Sequence, residues 1–166
     1  MGRRRGFDEA VVLNVVRDQF WTTGCAGTST YDLMEATGLG KGSIYKAVGN
    51  KHDLYVCVFS DYCRDLVAQA REQLQGGPKA VLPSPMARLE HHLVSLAGAF
   101  AGESPQRGRF LTKVTADRAG EDEEVAQTAR RAFDDLAGVL TGAIRDAQDE
   151  GQWPTMSTPR LWGICC

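Results

Sequence analysis

The stretch from Thr28 to Leu54, TSTYDLMEATGLGKGSIYKAVGNKHDL, brings hydroxyls, lysines and glycines together at spacings that suit contact with a polyanion. Lys41, Ser43 and Lys46 offer hydrogen-bond donors for base edges or phosphates, and the small residues around Gly40 and Gly42 let a backbone approach a groove closely. Such groups need a rigid frame, and the local chemistry predicts one. Ser29 followed three residues later by Asp32 is an aspartate version of a capping box, so a helix begins there with Leu33 and Ala36 facing inward. Gly38 stops it, because glycine enters the left-handed conformation without a Cβ clash. A second short helix follows from Gly40, with Ile44 turned to the core and Lys41, Ser43, Tyr45 and Lys46 outside. Gly49 closes that helix, and Asn50 with Asp53 caps a third. Two short helices on a tight turn, with a third behind them, form an arrangement suited to reading duplex DNA.

These residues closely resemble the N-terminal domain of the TetR family of transcriptional regulators. Phe20, Trp21, Gly24, Gly27, Thr28, Ser29, Leu33, Gly38, Lys41, Gly42, Ser43, Tyr45, Lys51 and Leu54 fall where that family's pattern has them. Val48 departs from it, standing where a phenylalanine is usual and reducing the aromatic packing after the second short helix. The resemblance implies an all-α protein: a three-helix helix-turn-helix DNA-binding domain over residues 1–50, a connecting helix over 51–76, and a helical ligand-binding and dimerisation domain over 77–166. It also implies a homodimer on a double-stranded DNA operator, acting as a repressor that a small-molecule effector releases. Phosphate positioning is assigned to Ser29, Thr30, Tyr45 and Lys51, and base-edge contact to Tyr31, Lys41, Gly42, Ser43 and Lys46. Effector binding is assigned to Phe59, Tyr62, Leu89, Leu93, Phe100, Phe110 and Phe133, although any one of them taken singly reads first as a core residue.

Composition sets the bounds. The chain has 166 residues, of which 43% are hydrophobic, enough for a core in two helical parts. Its formal net charge of -2 excludes a protein whose whole surface coats nucleic acid, so the placement of charge matters more than the sum. Arg3, Arg4 and Arg5 form a basic arm, either a solvated terminus or a phosphate contact, and Lys41, Lys46 and Lys51 cluster around the second short helix. Acidic residues gather later, from Glu121 to Glu124. Cys25, Cys57, Cys63, Cys165 and Cys166 show neither a disulfide framework nor metal spacing, and the adjacent His91 and His92 cannot converge on one ion from a helix. No metal or cofactor is expected. Nucleophile–base sets and paired carboxylates do not stand out, and His52 beside Asp53 reads as surface at a capped helix start, so the chain is not read as an enzyme. With no signal peptide and no long apolar span, a cytoplasmic protein off the membrane is expected.

Apolar periodicity lays out the positioning elements. Phe7 to Thr23 forms a first helix on Val12, Val16 and Phe20, with Phe20 and Trp21 packed beneath the short helices. From Asn50 a long helix runs to about Gln75 with Tyr55, Phe59, Tyr62, Leu66 and Ala70 on one face. Gly76, Gly77 and Pro78 break it. A helix over Ser84 to Ala101 carries Met86, Leu89, Leu93, Leu96 and Phe100, a shorter one holds Phe110, Leu111 and Val114, and a last long one over Glu121 to Glu150 has the stripe Phe133, Leu136, Leu140, Ile144 and Ala147. Gly138 and Gly142 lie four apart on it and admit a close second helix, from another subunit or from this chain. Thr158-Pro159 opens a helix with only Arg160 to Cys166 left, so the last helix of the family's dimer bundle is shortened. That leaves a second reading: a ligand-binding or interaction protein, shortened at its C-terminus, with impaired DNA binding.

Overall fold

The computed structural model describes residues 9–46, 49–76, 82–101 and 109–154, and every regular element among them is an α-helix. They are α1 (Glu9–Gly27), α2 (Thr30–Thr37), α3 (Lys41–Tyr45), α4 (Lys51–Leu74), α5 (Pro85–Ala101), α6 (Arg109–Arg118) and α7 (Glu123–Asp149). The basic arm, Val48 and the Thr158-Pro159 tail lie outside the described residues.

Local capping chemistry sets the boundaries of the short helices. Ser29 Oγ accepts from the Asp32 N–H at 3.1 Å and Asp32 Oδ2 accepts from the Ser29 N–H at 2.7 Å, a complete capping box. Gly38 takes φ +66° and donates its N–H to Met34 O, closing α2. Asn50 Oδ1 accepts from the Asp53 N–H and starts α4. The first helix runs further than its periodicity predicts, because Gly24 at φ +73° interrupts it and the chain resumes helical turns as far as Gly27. Thr28, fully buried, pins that break by donating its hydroxyl to Gly24 O at 2.6 Å. Ala36 is exposed rather than inward: so short a helix has a narrow inner face, and Leu33 and Met34 fill it.

One apolar core runs from the short helices into the later ones. Phe20, Leu33, Ile44, Tyr55 and Phe59 belong to the same buried cluster as Phe110, Leu111, Val114 and Val125. A second cluster, Val67, Ala70, Leu74, Leu89, Val139 and Ala143, closes the far end of α4 against α5 and α7. Aromatic rings join α1 and α4 to α6. Trp21 stacks on Phe110 with centroids 5.1 Å apart, and Phe59 and Tyr62 meet Phe110 edge-on at 5.9 and 5.2 Å. Lys113 Nζ adds a hydrogen bond to Trp21 O at 2.7 Å, so α6 holds the end of α1 by ring and by backbone.

The inward face of α7 is rotated from the expected stripe. Val125, Ala129, Ala132, Val139, Ala143 and Ala147 are buried, whereas Phe133 is 43% exposed. Bulk on α4 explains this: Phe59, Tyr62 and Val67 already fill the space between the helices, and alanines opposite them let the axes approach where a phenylalanine would not fit. On α5 the inner face is Pro85, Leu89 and His92, leaving Leu93 51% exposed. Buried His92 hydrogen-bonds Gln73 Oε1 through Nδ1, and burial depresses its pKa. A Cβ on Gly138 or Gly142 would meet nothing within 4 Å, so packing among the described residues does not use these glycines.

His52 does more than cover a surface. Its Nε2 lies 2.8 Å from Asp122 Oδ2, and Asp122 Oδ1 caps α7 through the Val125 N–H, so one carboxylate joins the start of α4 to the start of α7. The Asp122 hydrogen bond raises the His52 pKa above its ordinary 6.5. Burial works against ionisation of Asp122, but the hydrogen bonds from His52 and the Val125 N–H outweigh it and hold the pKa below 3.8.

Two outcomes follow from these local structures. Gly38→Val forces a β-branched residue into the left-handed region, and urea unfolding of that variant is expected to show a loss of about 1–3 kcal/mol; a parental midpoint would contradict the turn. The His52–Asp122 link stabilises fully below the unfolded-state pKa of His52, near 6.5, and fades as pH rises through its raised folded value. The Asp122 part is present above 3.8 and fades only as pH falls through its lowered value. Urea midpoints should therefore fall less steeply as pH rises above about 6.5 in His52→Ala than in the parent; equal slopes would contradict the link.

Candidate nucleic-acid interface

The third helix is held by its inner side and by its neighbours. Ile44, 6% exposed, is its single buried residue, and the Ser43 and Ile44 N–H groups bond back to Gly40 O. Tyr45, half-buried, places its hydroxyl 3.1 Å from Thr30 Oγ1, latching α3 to α2. Lys51 Nζ donates to Thr28 O at 2.9 Å and ties the start of α4 to the chain just before α2. These contacts fix the crossing of α2 and α3 without using the outer side of α3.

That outer side is open. Lys41, Gly42, Ser43 and Lys46 are all exposed, and so is Tyr31 on α2, at 71%. A Cβ at Gly40 or Gly42 would touch nothing within the described chain, so neither glycine is required by internal packing. Two ammonium groups, a hydroxyl, a phenol and two bare glycine backbones form a cationic surface able to donate to guanine acceptors or phosphate oxygens. Five residues of helix span roughly 7 Å, about two base-pair steps, so one copy of this surface reads too little DNA to be selective.

The residues expected at phosphates divide by their present bonds. Ser29 is exposed, but its Oγ already caps α2. Thr30 and Tyr45 bond one another, and Lys51 keeps two of its three N–H donors beyond the bond to Thr28 O. The sequence reading missed the tethers Lys113 to Trp21 and His52 to Asp122, which link residues 92 and 70 positions apart. Periodicity carries no signal for contacts at that separation.

The residues expected around an effector do not enclose one space. Phe59, Tyr62 and Phe110 fill each other's contacts with Trp21 in the aromatic cluster, and Leu89 belongs to the second core. Leu93 and Phe133 are corrected to the surface, since α5 and α7 turn other residues inward. The side chain of Phe100 lies outside the described residues. A cleft of about 320 Å³ does open between α4 and α7, lined by Ser60, Cys63, Arg64, Val67, Ala68, Arg71, Thr128, Arg131, Ala132 and Asp135. Its sequence signal was Arg64 and Arg71, seven apart and so on one face of α4. Among the described residues, no group of His, Cys, Asp and Glu could hold a metal ion, and no helix is long and apolar enough to cross a membrane.

No family model matches the chain. It is 26% identical over 156 residues to the uncharacterised HTH-type transcriptional regulator YezE of Bacillus subtilis strain 168, covering 92% of this chain and 76% of that protein. It is likewise 26% identical over 153 residues to the HTH-type transcriptional repressor ComR of Escherichia coli K12, covering 92% of this chain and 71% of ComR. Among solved structures, a TetR-family transcriptional regulator from Cytophaga hutchinsonii superposes with a TM-score of 0.73 at 20% identity, over 90% of this chain and 72% of that one. FadR from Bacillus subtilis, solved with stearoyl-CoA, superposes with a TM-score of 0.62 at 14% identity, over 87% of this chain and 73% of that one. The matched proteins are regulators rather than enzymes. Helix-turn-helix geometry and fold agree with these likenesses: the chain has the fold of TetR-family regulators, and its sequence is similar to those of HTH-type transcriptional regulators.

Proposed function

We propose that the protein is a sequence-specific repressor that binds its operator as a homodimer in the cytoplasm and leaves it when a small-molecule effector binds. The observation that carries DNA binding is the outer side of α3, which is cationic and free of internal contacts. In this reading residues 1–50 are the reading head, α4 is the link over 51–76, and residues 77–166 are the ligand-binding and dimerisation body. Lys41, Gly42, Ser43, Lys46 and Tyr31 face base edges in the major groove. Ser29, Thr30, Tyr45 and the spare donors of Lys51 face phosphates. The dimer is supported by the short reach of α3, and by Gly138 and Gly142, whose surfaces are unused within the described chain. The name of ComR supports repression, and the stearoyl-CoA bound to FadR supports an effector. Release would follow if the effector favours a conformation in which the two α3 helices no longer match successive major grooves.

Titrating the protein into duplex from its own upstream region at two salt concentrations, with the mass of the complex measured, tests this directly. Steeply salt-dependent, sequence-selective binding at two subunits or more is expected; monomeric, sequence-blind binding would favour an interaction protein with impaired DNA binding instead. Gly42→Ala separates folding from reading. Alanine in a helix with open space at its Cβ should leave stability unchanged or raise it by about 0.5–1 kcal/mol. The same methyl group, pressed against DNA, should weaken operator affinity about tenfold or more in a mobility-shift titration. Unchanged affinity would remove Gly42 from the interface.

A further inference from the structure

We propose that His52 and Asp122 form a proton-operated latch between the reading head and the later helices: protonated His52 holds the first turn of α4 to the start of α7, and losing that proton loosens the head and weakens operator binding. The latch rests on the DNA-binding reading only for its effect on the operator. His52 is the second residue of α4, and its Nε2 lies 2.8 Å from Asp122 Oδ2. Its neighbour Lys51 bonds Thr28 O, where the chain enters α2. One helical turn therefore touches the later helices on one side and the root of the short helices on the other.

The two partners are held unequally. Asp122, with 8% of its side chain exposed, caps α7 through the Val125 N–H, and the Arg118 guanidinium on α6 stands 3.7 Å from the same oxygen that meets His52. When His52 is neutral, Arg118 still balances that carboxylate, so the later helices keep their ion pair and only the head is released. The His52 side chain is 41% exposed and takes its proton directly from solvent. Its neutral ring can share one hydrogen bond with Asp122, but the charge-assisted bond is roughly twice as strong.

The surroundings single out His52 as the group that titrates. Besides Asp122 it faces Asp53 at 3.8 Å on its own helix and Glu124 on α7, and all three carboxylates favour its proton. From α1 comes Cys25, whose thiol burial holds above its ordinary 9.0, and Tyr55 on α4 is pushed up to about 12, chiefly by burial, so neither adds a charge near neutral pH. The other two histidines, His91 and His92, stand on α5, which packs against the far end of α4. A fixed head matters for reading. Two α3 helices must meet successive major grooves at one spacing, and ordering a loose head on binding costs affinity.

Proton NMR of the intact chain without DNA reads the latch itself. The His52 ring signal should titrate above 6.5, and amide signals of α2 and α3 should move with the same midpoint. Asp122→Asn keeps an N-cap for α7 while removing the charge, and should bring that midpoint down. Operator titration over the same pH range reads the consequence: affinity should fall about threefold or more as pH rises above about 6.5 in the parent, and stay flat in His52→Gln and in Asp122→Asn. A His52 midpoint at or below 6.5, one that Asp122→Asn leaves unchanged, or head amides that do not follow it would each overturn the latch. So would a pH dependence that persists in folded Asp122→Asn, since it would assign the effect to the charge of the histidine near phosphates alone. If Asp122→Asn does not fold, the parent titration and His52→Gln decide. A coupled titration in a chain that binds no operator supports the latch while contradicting the regulator reading, and selective operator binding with no dependence on pH does the reverse.

Discussion

The contact of Trp21 with Phe110 and Lys113 is the constraint on which the rest of the molecule depends. A five-residue helix cannot set its own direction: α3 has one buried residue and one hydroxyl latch. Its orientation is inherited from α1 and α4, and the end of α1 is tied to the later helices where it meets α6. There the indole stacks on Phe110 while its backbone carbonyl accepts from Lys113. Burial of two aromatic rings is worth several kcal/mol on general grounds, and the carbonyl bond adds direction that ring packing lacks. The consequence is mechanical. Because the apolar cluster beneath α2 and α3 continues into α6 and α7, a shift in the later helices cannot leave the reading surface undisturbed.

The same continuity accounts for the charge links at the perimeter. His52 meets Asp122 where α4 and α7 both begin, and Lys51 meets Thr28 where α1 gives way to α2. Each bond is partly exposed and individually modest. Their common property is position: all lie at helix starts or breaks, where backbone groups lack helical partners and a side chain can restrain the local direction of the chain. The α4–α7 cleft sits further along the same two helices.

Some of this was legible in the sequence and some was not, and the division has a physical cause. Ser29 with Asp32, Gly38, and Asn50 with Asp53 could be read residue by residue, because capping is settled within four positions and the structure keeps each cap as read. The all-α layout and the exposed Lys41, Gly42 and Ser43 were legible for the same reason. Facing was not. Periodicity shows that α7 has an apolar side, but which of Phe133 and Ala132 turns inward depends on the bulk α4 presents across the interface. Leu93 was misplaced likewise, since His92 can be buried once Gln73 accepts its hydrogen bond. Lys113 offered no signal at all, because its partner is a backbone carbonyl 92 residues away.

The central claim is that the outward side of α3 enters the major groove of duplex DNA, once per subunit. Dimethyl sulfate protection of guanine N7 on bound upstream duplex examines that groove alone. The account predicts two short protected patches about one helical turn apart, one for each α3. Tight, selective binding with every major-groove guanine still reactive would contradict it.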